Sequence, residues 1–135
     1  MHKQDMKDND WKVFFQTGRR ILGAGALDAY LSDSWCAFTT FSSIKHGAVY
    51  FNCGFPQVTD CLDTCVRGGG TWRREFEYSD LAHIVVPATF YWEWYLDRGF
   101  RHGNKHQDIT RFSKELRKLG IKHRKTDLVL EIKLY

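Results

Sequence analysis

The segment SDLAHIVVPATFYWEWYLDRGF (79–100) decides how the rest of the chain folds. Its first part, SDLAHIVVP (79–87), opens like a capped helical turn and closes like a strand, and both readings stay open. In residues 88–100, Trp92 and Tyr95 lie three apart, and Phe90 and Trp94 four apart. That spacing predicts a helix with two aromatic faces. One helix face cannot bury so much aromatic surface, which marks Trp92 and Tyr95 as candidate contacts to a partner.

On the N-terminal side, TWRREFEY (71–78) alternates Trp72, Arg74, Phe76 and Tyr78 against Arg73, Glu75 and Glu77, a period of two that predicts a strand with one wet face. PQVTDCLDTCVRGGG (56–70) reads as a helix: Pro56 suits a helix start, Val58, Cys61, Leu62 and Cys65 recur at helical spacing, and three glycines close it. SWCAFTTFSSI (34–44) and GAVYFNCGF (47–55) are rich in aromatic and β-branched residues around a short KHG loop. They predict a β-hairpin over 35–53. GAGALDAYLSDS (23–34) looks helical from Ala24, with Leu27, Tyr30 and Leu31 on one face. WKVFF (11–15) begins a strand or a helix, and residues 1–10 read as a frayed N-terminus ahead of a domain spanning 11–135.

On the C-terminal side, Gly99 and Gly103 bracket a basic loop. ITRFSKELRKL (109–119) is an amphipathic helix with Ile109, Phe112, Leu116 and Leu119 on its buried stripe. Gln107 or Asp108 opens it and Gly120 stands at its C′ position. TDLVLEIKLY (126–135) is a closing strand. A hairpin, helices, an alternating strand and a terminal strand predict an α+β fold. It should be a single domain with a mostly antiparallel sheet of about five strands and three to four helices.

Composition narrows the function classes. A chain of 135 residues is one domain by size. Apolar content of 43% and charged content of 27% are those of a soluble globular protein, whereas 16% aromatic residues is high. No apolar run is long enough to span a membrane, and MHKQDMKDNDWK (1–12) lacks the pattern of a signal peptide. The expectation is a cytoplasmic protein, with Cys36, Cys53, Cys61 and Cys65 as free thiols. Between Arg98 and Lys125 there are ten Lys/Arg and two acids, a local charge of +8 in a chain of net +4. The remainder therefore sums to −4. Such asymmetry speaks about partners rather than fold.

Several motifs touch on chemistry. Glu131-x-Lys133 has the look of the metal-binding strand of a PD-(D/E)xK nuclease, but Asp127 is only four residues before Glu131 on the same strand, so the further acid would have to come from elsewhere, such as Asp80 or Asp108. It is also the polar face of an ordinary half-buried strand, and that plainer reading is preferred. Cys61 and Cys65, with Cys53 and His46 or His83, could bind zinc, but their spacing is not that of a knuckle or ribbon and a core role is preferred. Gly23-x-Gly25 lacks the third glycine of a dinucleotide fingerprint, and Asp28 stands in its place. The triple glycine 68–70 reads as a turn. No acid, base and nucleophile show a spacing that demands an active site. No catalytic residue, metal ligand or cofactor is expected.

The basic segment is the strongest functional signal. Arg111, Lys114 and Lys118 form one stripe of the helix, and Lys122, Arg124 and Lys125 continue it. A helix followed by a short hairpin has the outline of a winged helix, in which these cations would meet phosphates. The competing assignment is a surface for a protein partner, formed with Trp92 and Tyr95.

The C-terminal third, with Leu116 and Leu119 closing a helix, then GIKHR (120–124) and an alternating strand, resembles bacterial immunity proteins of toxin–immunity systems. The resemblance implies a small cytosolic α+β protein that binds and blocks a toxin without catalysis. Immunity proteins against nucleases tend to be acidic, and this chain is net basic, so a nuclease target would have to meet the acidic body of residues 1–97. The function expected is therefore a non-enzymatic binder and inhibitor of a protein partner. A nucleic-acid-binding protein is the alternative and a metal-dependent nuclease comes third.

Overall fold

A computed structural model describes residues 5–47, 49–97 and 99–135. Residues 1–4 of the N-terminal segment and Arg98 of the basic segment lie outside the described residues. The chain begins with helix α1 (Asp8–Leu22), so the N-terminal segment is helical from Asp8, not frayed through residue 10. The Asp10 carboxylate accepts a bond from the Lys7 amide at 3.0 Å. Asp8 and Asp10 lie in the first turn and Arg19 and Arg20 in the last, charges that oppose the helix dipole at both ends. Trp11, Phe14, Phe15, Gly18 and Leu22 form its buried stripe.

Strand β1 (Cys36–Thr40), a helical turn α2 (Phe41–Ile44) and β2 (Phe51–Cys53) form the expected antiparallel pair, with α2 in the connection where a tight loop is predicted. Two short strands, β3 (Cys65–Val66) and β4 (Phe76–Glu77), pair with each other. The undecided segment becomes a 3-10 turn (Tyr78–Asp80) and then the central strand β5 (Leu81–Pro87). After it come β6 (Thr89–Leu96), β7 (Gly99–His106), α3 (Ile109–Lys118), β8 (Arg124–Lys125) and β9 (Val129–Lys133). The main sheet has the order β2-β1-β5-β9-β8 and is antiparallel throughout. With three helices among the described residues, the chain is one α+β domain, as its sequence predicts.

Three predicted helices are not formed. Residues 23–34 hold only a 3-10 turn (Ala29–Leu31). Residues 56–70 hold a 3-10 turn (Val58–Asp60) and β3. There, buried Asp60 bonds Arg67 at 2.8 Å, and the Arg67 amide bonds the Asp60 carbonyl, closing a loop a helix could not make. The predicted helix at 88–100 is replaced by strands Thr89–Leu96 and, from Gly99, β7, because aromatic and β-branched residues fit a pleated surface and Phe90, Trp92 and Trp94 alternate with Tyr91, Glu93 and Tyr95. In 71–78 only Phe76–Glu77 is strand, although Trp72, Phe76 and Tyr78 are buried as the alternation implies.

Both long helices cover one face of the sheet. Phe14 touches the rings of Trp11, Phe15, Phe55 and Phe112. Phe38 stacks on Trp72 at 4.3 Å between ring centres. Ile84, Val86, Leu130 and Ile132 supply the sheet side of this core, and Ile109, Phe112 and Leu116 the α3 side. Gly25 and Gly54 let two loops cross, since a Cβ on either would overlap the other's backbone or that of Phe55. Gly25 is therefore a packing position.

Candidate functional site

The predicted aromatic helix is instead a two-stranded ribbon, β6–β7, paired from Thr89–His106 to Leu96–Gly99. Its two faces differ. The inner face carries Phe90, Trp92, Trp94 and Lys105. Trp94 stacks on Tyr30 at 4.6 Å, Trp92 tilts against the same ring at 5.0 Å, and Phe90 stacks on Trp35 at 5.6 Å. Trp92 faces Gly103 across the strands, and the missing side chain makes room for the indole. Lys105 Nζ donates to the carbonyls of Tyr30, Ser32 and Ala29 at 2.6, 2.7 and 3.2 Å. Gln107 ties the ribbon's base to Trp35 and Pro87 at 2.9 Å.

The outer face is exposed. Tyr91, Tyr95 and Phe100 are 51%, 73% and 47% exposed and lie in one row with His102. Tyr95 and Phe100 are direct cross-strand partners with ring centres 5.0 Å apart, and Phe100 stacks on His102 at 5.3 Å. Tyr91 Oη donates to Glu93 at 3.2 Å, and desolvation together with that carboxylate raises its phenol. Beside β6 runs a groove of about 620 Å³ lined by Leu27, Asp28, Trp35, Asn52, Trp92 and Trp94. Trp92 and Tyr95, which helical spacing puts on one face, thus point to opposite faces of the ribbon.

A second constellation lies on the sheet face away from α1 and α3. Strand register aligns Asn52, Ala37, Val85, Glu131 and Arg124 in one row, with Thr39, His83 and Lys133 in the next. His83 Nε2 lies 2.7 Å from Glu131 Oε2, and His83 Nδ1 lies 2.6 Å from Tyr50 Oη. Arg124 donates to the other Glu131 oxygen at 3.2 Å. Lys133 Nζ sits 4.7 Å over the Tyr135 ring, which meets His83 edge-on. Burial, then Tyr135 and then Glu131, push the Tyr50 phenol up to about 12. This set unites residues 85 positions apart, and only the register of β1, β5 and β9 brings them together.

The basic residues are distributed as follows. Arg111, Lys114 and Lys118 are exposed on α3, opposite its buried stripe. Lys118 reaches Glu115 at 3.5 Å. Lys122 is exposed beyond Gly120, Lys125 is half-buried in β8, and Arg124 turns to the face opposite α3 to meet Glu131. Lys105, also in this segment, anchors the ribbon.

The acids considered for a nuclease are placed elsewhere. Asp127 stands exposed in the β8–β9 turn, Asp80 accepts bonds from Ser42, and Asp108 caps α3 through the Arg111 amide. Cys61 and Cys65 are not successive turns of a helix: Cys61 bridges to Val66, and Cys65 pairs with Glu77. All four thiols are free and buried, and no group of three His, Cys, Asp or Glu converges among the described residues. No helix among them is long and apolar enough to cross a membrane. No protein family, curated protein or solved structure matches this chain.

Proposed function

We propose that the protein is a binding module for a protein partner and that the outer face of the β6–β7 ribbon is its contact surface. The observation that carries this reading is the exposed row Tyr91, Tyr95, Phe100 and His102 on a ribbon whose other face is fixed to the body. Large aromatic side chains give contact area for little lost entropy, and a ribbon anchored in advance has less freedom to lose on binding. The groove beside β6 offers a place for one anchoring side chain of the partner. Neutralisation of a toxin in the cytoplasm, which the resemblance of the C-terminal third implies, is the specific form of this reading. Free thiols accord with that compartment.

The test is co-expression with the product of the adjacent gene, followed by gel filtration. Wild-type protein co-elutes with it, and Tyr95→Ala with Phe100→Ala abolishes co-elution while the fold stays intact. Co-elution unaffected by that double substitution removes the ribbon from the interface.

A second reading rests on the exposed stripe Arg111, Lys114 and Lys118. It assigns α3 to nucleic-acid backbone contacts. Binding would then fall steeply between low and physiological salt, and each cation removed would flatten that slope by about 1.

A further inference from the structure

The Tyr50–His83–Glu131 chain takes no part in the ribbon surface, and its geometry is that of a proton relay. Both links, 2.6 and 2.7 Å, are within the range over which a hydroxyl, an imidazole and a carboxylate pass and stabilise a proton. The side chains of His83 and Glu131 are only 12% and 16% exposed, and both imidazole nitrogens are engaged. The Tyr50 hydroxyl is therefore the end of the chain through which a substrate proton enters. Lys133 lies directly across from His83, the edge of a second tyrosine ring, Tyr135, meets His83, and Arg124 holds the other oxygen of Glu131 at the far end of the chain.

We infer that this face cleaves single-stranded RNA by internal transesterification, with Tyr50 as the group that exchanges protons with the substrate. The face supplies proton transfer and positive charge but no covalent nucleophile, and RNA brings its own in the 2′-hydroxyl. A face whose exposed groups are the rings of Tyr50 and Tyr135 fits an extended strand with splayed bases better than a duplex. The net charge of +4 favours a polyanion.

The step balances. The 2′-hydroxyl gives its proton to Tyr50 Oη as Tyr50 passes its own to His83 Nδ1. The freed O2′ electron pair forms a bond to phosphorus, and the P–O5′ bond breaks. The leaving O5′ takes a proton back from Tyr50, and His83 returns Tyr50's proton. The products are a 2′,3′-cyclic phosphate and a 5′-hydroxyl. Glu131, itself held by Arg124, steadies the transient imidazolium, while Lys133 supplies the positive charge for the phosphoryl oxygens.

This activity stands apart from partner binding, and the experiment separates the two. The probes are a fluorescein-labelled single-stranded RNA of mixed sequence and its all-deoxy counterpart. Wild-type protein cuts the RNA to fragments ending in cyclic phosphate and leaves the DNA whole. Tyr50→Phe and His83→Gln slow cutting by at least about 100-fold, the usual contribution of a positioned acid–base group, with unchanged circular dichroism. Lys133→Gln, on the exposed side of β9, raises KM more than it lowers kcat. Val58→Ala, exposed on the 3-10 turn Val58–Asp60, cuts at the wild-type rate. RNA cut no faster than in buffer, DNA cut equally well, or folded Tyr50→Phe cutting like wild type would each overturn the inference.

Discussion

Replacing Lys105 with Met isolates what holds the ribbon to the body. Methionine keeps the aliphatic stem near the Tyr30 and Phe90 rings, each about 6.0 Å from Nζ in the native protein. It removes the donor that serves three carbonyls. A hydrogen bond from a charged donor contributes about 1.5–3 kcal/mol net, and two of the three are short, at 2.6 and 2.7 Å. The sum is offset in part: the half-buried Ala29 and Tyr30 carbonyls gain water, and the ammonium no longer has to be desolvated. Ser32 is buried, and its carbonyl is left without this partner. The expected net cost is about 2–3 kcal/mol, with the loss falling on the ribbon's docking rather than on the aromatic core beneath α1. Amide exchange followed by mass spectrometry should therefore speed up by about 30- to 100-fold in peptides covering 89–106. Peptides from α1 and β5 should change far less. Exchange in the ribbon within about threefold of wild type would refute the anchoring role of Lys105. Loss of protection spread evenly over the chain would refute the separation of ribbon and core.

Three further outcomes follow from the fold. Phe14→Ala removes a fully buried ring touching four other aromatics and should cost about 3–5 kcal/mol in urea unfolding, a large fraction of a typical domain's stability. Gly25→Ala puts a methyl into the Phe55 backbone and should lower Tm by more than a surface substitution can, whereas Gly69→Ala meets open space and pays only for its φ of 87°. Stability should fall as pH rises from about 9 towards 12. Burial, and next the neighbouring Asp60 charge, push Cys61 up to about 12, and Tyr50 also reaches about 12. Folded protein holds these protons more tightly than unfolded protein does, so their contribution is complete below the ordinary thiol and phenol values and is lost above them. Urea midpoints that stay flat or rise across that window contradict this.

The sequence exposes some elements and conceals others for physical reasons. α3 is legible because four signals agree: the Asp108 cap, the stripe Ile109, Phe112 and Leu116, basic residues in the last turn, and Gly120 at a positive φ of 74°. β9 is legible from the buried pair Leu130 and Ile132, although Leu128 is exposed in the turn before it. The ribbon is concealed because six consecutive large residues satisfy periods of two and of 3.6 at once. Only Gly99 and Gly103, at the turn and opposite Trp92, favour the strand. α1 is concealed at its start by a polar first turn, yet Trp11, Phe14, Phe15 and Leu22 already mark one face. The relay has no local signal whatever. His83 and Glu131 are 48 residues apart, and they meet diagonally because β5 pairs with β9 in the register that puts His83 opposite Lys133. The alternation of TDLVLEIKLY shows that Glu131 and Lys133 share a face, but not which residues of other strands share it with them.

The central claim is that a protein partner meets the outer face of β6–β7. Site-specific photocrosslinking in cells tests it directly, with the photoreactive residue in place of Tyr95 in one experiment and of Lys114 on α3 in the other. The expected result is one discrete protein adduct from position 95 and none from position 114. An adduct that forms only from position 114, or nucleic acid as the sole species captured at position 95, would contradict the claim.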